Sequence, residues 1–275
     1  MKRIMKYHQI SDKILRSFYD VYNSLGYGFQ EKVYEAAMLN ELSKKKLSVL
    51  NQYLINVFYK EEIVGDYIAD IVVDNKIIIE LKTSSKIHPH HECQLLNYLN
   101  ATKFEVGLLL NFGPKPEKIR KVYDNDKKIY FQNYKSPNKA QTSDKVDAII
   151  DSFHTVYRYF GFGFQEMVYR NAWEVELRNS CIDFKRDFPL SIFFNNQKIG
   201  EYFSEFYFDD LIIKIISRKE ITLQDEKIMV NILKSTNVKS GLILNFGYTP
   251  EIKRKFKDKK MNCVHGLLQE NTEKK

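Results

Sequence analysis

The sequence predicts two tandem α/β/α sandwich domains, each with the order α-β-β-β-α-β around a mixed sheet. Three observations lead there. The chain repeats itself once. Within each copy, segments of helical period are interleaved with short apolar runs rich in β-branched residues, which suit a pleated surface. Those runs are apolar almost without interruption, the pattern of strands covered on both faces, and such a sheet needs helices on either side.

The repeat is direct. Gly26-Tyr-Gly-Phe-Gln-Glu-Lys-Val-Tyr34 recurs as Gly161-Phe-Gly-Phe-Gln-Glu-Met-Val-Tyr169, an offset of 135 (161 − 26). Leu109-Leu-Asn-Phe-Gly113 recurs as Ile243-Leu-Asn-Phe-Gly247, an offset of 134 (247 − 113), so one residue is missing between these landmarks in the second copy. Two copies make a domain pair and not a solenoid. The boundary is expected in Ser136-Pro-Asn-Lys-Ala-Gln-Thr-Ser143, polar and without apolar periodicity. The domains are then 1–135 and 143–275.

In the first copy Ser11 can cap a helix, and Ile14, Leu15, Phe18, Val21, Tyr22 and Leu25 follow at helical spacing. Gly26 ends that helix and Gly28 keeps the turn tight. A second helix is expected from about Gln30 to Lys45, with Val33, Ala36, Ala37, Leu39 and Leu42 as its apolar side. A strand near Val49–Tyr59 precedes a hairpin over Tyr67–Lys82, turning at Asp74-Asn75-Lys76. A helix near His90–Ala101 and a strand at Val106–Leu110 complete the copy. The second copy repeats this order: helices near Val146–Phe160 and Gln165–Arg178, strands to Ser217, a helix near Thr222–Ser235 and a strand at Gly241–Asn245.

Composition sets the class. Hydrophobic residues make up 44% of the 275, enough for a packed core and too many for global disorder. The net charge of +8 and a pI near 9.1 are compatible with a polyanionic partner without requiring one. Three cysteines, widely spaced and without a Cys-x-x-Cys pair, suggest neither a disulfide framework nor a zinc ribbon. A reducing interior suits them. The basic start has no apolar stretch of signal-peptide length, and no run approaches the roughly 18 apolar residues of a membrane span. The expectation is a cytoplasmic or otherwise intracellular protein with no membrane association.

The chemistry is carried by the hairpin. Asp70 lies on its first strand, Glu80 and Lys82 on its second. Period-two alternation puts Glu80 and Lys82 on one face, and a three-residue loop puts Asp70 opposite Glu80. Opposed residues have β-carbons roughly 4.5–5.5 Å apart. Two carboxylates at that separation repel unless a cation lies between them or one is protonated. Oxygen donors suit a hard cation, magnesium first, and the adjacent lysine can hold or activate a water. The plainer reading is a surface hairpin with solvated charges, but charges within a buried apolar run are costly and usually functional or paired.

Gly26-x-Gly-x-x-Glu-x-x-Tyr34, Tyr67-x-Ala-Asp70, Ile79-Glu-Leu-Lys82, His91-Glu-x-Gln-Leu-Leu-Asn-Tyr-Leu99 and Gly107-Leu-Leu-Leu-Asn-Phe-Gly113 together resemble the GxxExxY proteins of the PD-(D/E)XK nuclease superfamily. The resemblance covers nearly all of copy one and, more weakly, copy two. It implies a restriction-endonuclease-like fold and phosphodiester hydrolysis. It implies that Asp70, Glu80 and the backbone carbonyl of Leu81 ligate one or two Mg2+ ions, with Mn2+ as the substitute. Lys82 would orient or deprotonate the attacking water. Glu31 would complete the acidic cluster, and Gln94 would face the site from the following helix with Tyr98 one turn on. The implied partner is nucleic acid, DNA ahead of RNA, and a protein partner or a homodimer is left open.

Plainer roles compete. Glu31 can serve the helix dipole; Gln94 and Tyr98 can be polar groups at the core edge. Tyr34 and Asn111-Phe112-Gly113 recur in both copies, which favours packing. His88-Pro-His90-His91 lacks the ligand set of a zinc site and reads as a helix start. Lys44-Lys45-Lys46 reads as a solvated helix end.

In copy two, with the missing residue placed in the hairpin turn, Asp70 becomes Glu205, Glu80 becomes Lys214, Lys82 becomes Ile216 and Gln94 becomes Ile228, while Glu166 stands at the Glu31 position. This degenerate site is expected to be inactive. The ammonium of Lys214 is expected to take the place of the ion and neutralise Glu205 and Glu166. Three functions follow: a metal-dependent nuclease with one working half and a second half that grips or scaffolds, a nucleic-acid-binding or protein-interaction module without useful turnover, and a structural pseudo-dimer.

Overall fold

The structure, a computed structural model, describes residues 6–123 and 145–257 together with the backbone of 264–266. These residues fall into two compact units, one within Met1–Lys127 and the other within Lys128–Lys275. The expected boundary, Ser136–Ser143, lies outside the described residues.

The first unit runs α1 (His8–Leu25), α2 (Glu31–Lys44), β1 (Val49–Tyr59), β2 (Glu62–Val73), β3 (Ile77–Lys82), α3 (Pro89–Ala101), β4 (Val106–Phe112) and β5 (Pro116–Val122). Its sheet has the order β1-β2-β3-β4-β5, antiparallel except for the β3–β4 pair. α3 is the crossover that makes that parallel pair possible. On one face, Ile14, Phe18 and Val21 of α1 and Tyr34, Met38 and Leu42 of α2 pack on Ile71, Ile79, Leu81 and Leu108 of the sheet. On the other face α3 approaches so closely that a β-carbon at Gly107 would lie 2.7 Å from Leu95 Cδ1. The glycine admits the helix.

The second unit repeats the plan with α4 (Lys145–Phe160), α5 (Glu166–Asn179), β6 (Lys185–Phe194), β7 (Gln197–Phe208), β8 (Leu211–Ile216), α6 (Leu223–Ser235), β9 (Ser240–Asn245), β10 (Glu251–Lys257) and β11 (Val264–Gly266), in the sheet order β11-β10-β9-β8-β7-β6. The α/β/α sandwich is therefore present twice.

Four expectations change. Ser11 is no cap: α1 begins at His8, after a left-handed Tyr7, and the Ser11 hydroxyl is buried, accepting from Arg120 Nε at 3.4 Å. The core face of α2 is Tyr34, Met38 and Leu42, four residues apart, while Val33 is exposed. β2 starts at Glu62, so β1 and β2 form a longer hairpin than Tyr67 implied. β5, β10 and β11 are additional strands. Pro-Glu-Lys-Ile-Arg-Lys-Val and Glu-Ile-Lys-Arg-Lys-Phe-Lys are half-buried, charged segments beside an apolar β4 or β9. β5, at the sheet edge, carries the charges that discourage pairing with another chain.

The recurring motifs are fasteners. Gly26, at φ 66°, closes α1 with its N–H on the Tyr22 carbonyl. The Tyr34 hydroxyl donates to the Gly26 carbonyl at 2.9 Å and accepts from the Phe29 N–H at 3.3 Å. Tyr169 makes the same two bonds, to the Gly161 carbonyl at 2.9 Å and from the Phe164 N–H at 3.2 Å. Asn111 Oδ1 accepts from the Ser84 N–H at 3.0 Å, and Asn245 Oδ1 from that of Arg218 at 3.1 Å. A β-carbon on Gly113 would stand 2.2 Å from the Ser84 carbonyl oxygen, and one on Gly247 2.5 Å from that of Arg218. Backbone packed this closely leaves room only for glycine.

Candidate functional site

The β2–β3 hairpin has the register Val73↔Ile77, Val72↔Ile78, Ile71↔Ile79, which brings Asp70 and Glu80 to the next position. Ile71, Ile79 and Leu81 point into the α1/α2 core, so Asp70, Glu80 and Lys82 share the opposite face. The strands keep them there because reversing the face would bury three charges among the helices.

Asp70 Oδ2 accepts from the Leu81 N–H at 2.7 Å, and Lys82 Nζ donates to Glu80 Oε1 at 2.6 Å. Glu80 is 1% exposed, and its other oxygen, Oε2, is buried with no hydrogen-bond partner. Burial, and then the neighbouring Asp70 charge, push its carboxyl up to about 8. Burial also pushes Asp70 up to about 6, against the Leu81 N–H and with the help of the Glu31 charge. For Lys82, burial works against the ammonium, but the charge and hydrogen bond of Glu80, then Glu31 and Asp70, outweigh it and hold its pKa above the usual lysine value.

Glu31, at the first position of α2, faces this group. Burial raises its pKa, the Lys82 charge lowers it and Glu35 raises it again. Gln94 reaches the site at one remove: its Nε2 donates to the Tyr98 hydroxyl at 2.5 Å, and that hydroxyl donates to the Ile68 carbonyl at 3.0 Å. Burial and then the Glu80 charge raise the Tyr98 pKa. Position 94 thus orients the tyrosine that borders the carboxylates.

Among the described residues no three His, Cys, Asp or Glu side chains stand at metal-binding spacing. That applies to His88, His90 and His91, whose arrangement starts α3: the His88 N–H donates to His91 Nδ1 at 3.2 Å. It also leaves the hairpin with two carboxylates, Asp70 and Glu80, and Glu31 standing off. That set fits a hard divalent cation, because a buried carboxylate oxygen without a partner is costly and a cation beside it would satisfy it.

Glu35 is a residue the sequence reading did not single out. One turn after Glu31, its charge raises both Glu31 and Asp70. Its counterpart in the repeat is Arg170 (35 + 135). Arg170 Nη2 lies 3.3 Å from Glu205 Oε1 and 3.4 Å from Glu166 Oε1. Lys214 Nζ donates directly to Glu205 Oε1 and is 3.9 Å from Glu166. Glu166, Glu205 and Lys214 thus stand together, with Arg170 as a second cation beside them. The signal was available as a charge inversion between the two copies. Glu205 keeps one scaffold role of Asp70: its Oε2 accepts from the Ile215 N–H at 3.1 Å. Carboxylates at 31, 35, 70 and 80 facing one lysine become carboxylates at 166 and 205 facing Arg170 and Lys214.

None of the curated proteins compared with the chain matches it. A solved structure titled "Crystal structure of SSO0001" is similar at 19% identity with a TM-score of 0.27, over 35% of this chain and 52% of its own, so the match spans about half of that chain's length. A likeness of that size bears on neither fold nor function. The model of the PD-(D/E)XK nuclease superfamily matches twice, over residues 8–122 and 143–257, the same stretches that build the two sandwiches. With that match covering more than half of its length, the chain belongs to the PD-(D/E)XK nuclease superfamily.

Proposed function

We propose that the first unit is a divalent-metal-dependent nuclease of the GxxExxY type, hydrolysing phosphodiester bonds of nucleic acid, and that the second unit is a pseudo-nuclease that grips or scaffolds. The observation that carries this reading is Glu80, a buried carboxylate with one free oxygen, held beside Asp70 and a lysine. Asp70, Glu80 and the Leu81 carbonyl would hold Mg2+ or Mn2+. When bound, such an ion supplies charge stabilisation at the phosphoryl oxygens and lowers the pKa of water. Lys82, kept as an ammonium by its acidic neighbours, acts as a donor that orients the attacking water. Gln94 fixes Tyr98 at the border of the site, and Glu31 and Glu35 add negative charge that favours a divalent ion. The neutralised cluster of the second unit leaves no demand for one.

The test is a cleavage panel on single- and double-stranded DNA and RNA, with and without Mg2+. The expected result is Mg2+-dependent cleavage, with Glu80→Ala and Lys82→Ala each losing about 10²–10⁴-fold, the range for a positioned catalytic group. Cleavage that survives both substitutions assigns the activity elsewhere. Salt-dependent binding without cleavage by the intact chain favours the binding-module reading, for which the Lys82–Glu80 ion pair at 2.6 Å is the supporting observation.

A further inference from the structure

The loop that leads into α2 differs between the copies in a way the motif does not require. In the first unit Tyr27 is 61% exposed and Phe29 is 49% exposed. Gly26 and Gly28, at φ 66° and 111°, fix the turns on either side of Tyr27. The backbone N–H of Phe29 is tied to Tyr34. Both rings are therefore presented to solvent by a fastened backbone, and they precede Glu31, the residue through which α2 meets the carboxylates, by four and two positions. Lys32, the next residue, is also exposed.

The second unit is an internal control. There the loop sits against the end of the strand that carries the degenerate site, with Ser217 Oγ donating to the Phe164 carbonyl at 2.9 Å. Phe164, the counterpart of Phe29, is only 3% exposed and packs on Phe160, ring centroids 4.9 Å apart. Phe162, the counterpart of Tyr27, rests against Tyr248 at 4.9 Å. Met167 replaces Lys32. Where the acidic site is lost, Phe164 is buried, Phe162 is 37% exposed against an exposed Tyr248, and the cation is gone. Where it is kept, Phe29 holds only the edge contact to Tyr34 at 6.2 Å that Phe164 also makes to Tyr169, both rings are more exposed than their counterparts, and a cation stands next to them in sequence.

Exposed aromatics on a rigid loop next to a cationic side chain are what unpaired nucleic acid uses: bases stack on the rings while the backbone phosphates meet the cation. Duplex bases are already stacked on one another and offer no free face. Resting on the nuclease reading above, we infer that Tyr27 and Phe29 are a stacking platform that makes single-stranded or locally unpaired nucleic acid the substrate class of the first unit. They are positioning residues and touch no reacting atom.

The test is binding in EDTA, where no cleavage is needed. The full chain is titrated against a fluorescein-labelled 20-nucleotide oligothymidine and against a 20-base-pair duplex, comparing the parent with Tyr27→Leu, Phe29→Leu and the double variant. Leucine keeps an apolar side chain and removes the stacking face. The expected result is single-strand affinity about tenfold or more weaker in the double variant, as loss of base stacking implies, with duplex affinity unchanged within about twofold and Tyr27→Phe retaining parental affinity. If Phe29→Leu unfolds, Tyr27→Leu carries the test, since that ring is the more exposed. Equal losses on both probes, no loss on the single strand, or no single-strand binding by the parent overturns the inference. A change in oligomeric state with unchanged single-strand affinity also overturns it, and assigns the rings to a protein contact. The nuclease reading fails separately, in the cleavage panel, where a chain that cuts duplex DNA but ignores these substitutions keeps its activity and loses the platform.

Discussion

Glu80 is nearly inaccessible, has an ammonium on one oxygen, and still has its pKa pushed up to about 8 by burial and by Asp70. The sign of its pH effect follows. An unfolded glutamate loses its proton near 4.5, whereas the folded one holds it until about pH 8. Between those values the unfolded chain releases a proton that the folded chain retains, so the metal-free fold loses stability as pH rises. Asp70, raised from 3.8 to about 6, acts in the same direction lower in the range. Calorimetric melts in EDTA should therefore show the first unit melting at lower temperature at pH 8 than at pH 5. Glu80→Gln, which cannot ionise, should flatten that slope. A parent melt independent of pH, or one that rises, would show that Glu80 is not held at raised pKa. At this scale the sequence exposed Asp70, Glu80 and Lys82, because charges inside an apolar β-branched run cannot be accidental. It hid Glu35, whose neighbours in sequence are ordinary for a helix surface and whose role appears only once α2 is laid beside the hairpin.

The hairpin is the element that decides which copy can work. Asp74 and Asn75 take left-handed conformations and leave three residues between Val73 and Ile77; Asp209 and Asp210 do the same with two between Phe208 and Leu211. Each turn keeps its own register, so the deletion leaves Glu205 beside Lys214 and the pairing intact. That was legible, since turn length fixes register. The strands β5 and β10 were not, because their charged alternation resembles a loop until an apolar neighbour is there to pair with. Nor was Arg170, which shares with Lys214 the neutralisation of Glu205 and Glu166. Sharing changes the energetics. Lys214→Met alone leaves Glu205 with Arg170 and the Ile215 N–H, and so costs less than the loss of a sole partner. Replacing both Arg170 and Lys214 with Met strands the buried Glu205 and should cost the second unit about 3–5 kcal/mol. Urea unfolding followed by Trp173, the sole tryptophan and buried in that unit, measures it. A double variant as stable as the parent would mean that the cluster is solvated and carries no load.

Across the whole chain, one fold is used twice with opposite electrostatics. The backbone fasteners Gly26/Gly161, Tyr34/Tyr169 and Gly113/Gly247 are duplicated, and Asn245 keeps the Oδ1 bond of Asn111 though not its Nδ2 bonds, while positions 35, 80 and 82 have become Arg170, Lys214 and Ile216. Duplication made the fold legible, since a motif kept in both copies must serve what both copies share. The divergence located the chemistry, since a charge kept in only one copy must serve what only that copy does. A crystal of the full chain grown with Mn2+ and recorded for anomalous scattering tests this division directly. Anomalous density is expected in the first unit beside Asp70 and Glu80, which with the Leu81 carbonyl would hold the ion, and none beside Glu166 and Glu205. An empty first unit with Lys82 still closed on Glu80 in saturating Mn2+, or density in the second unit, would contradict it.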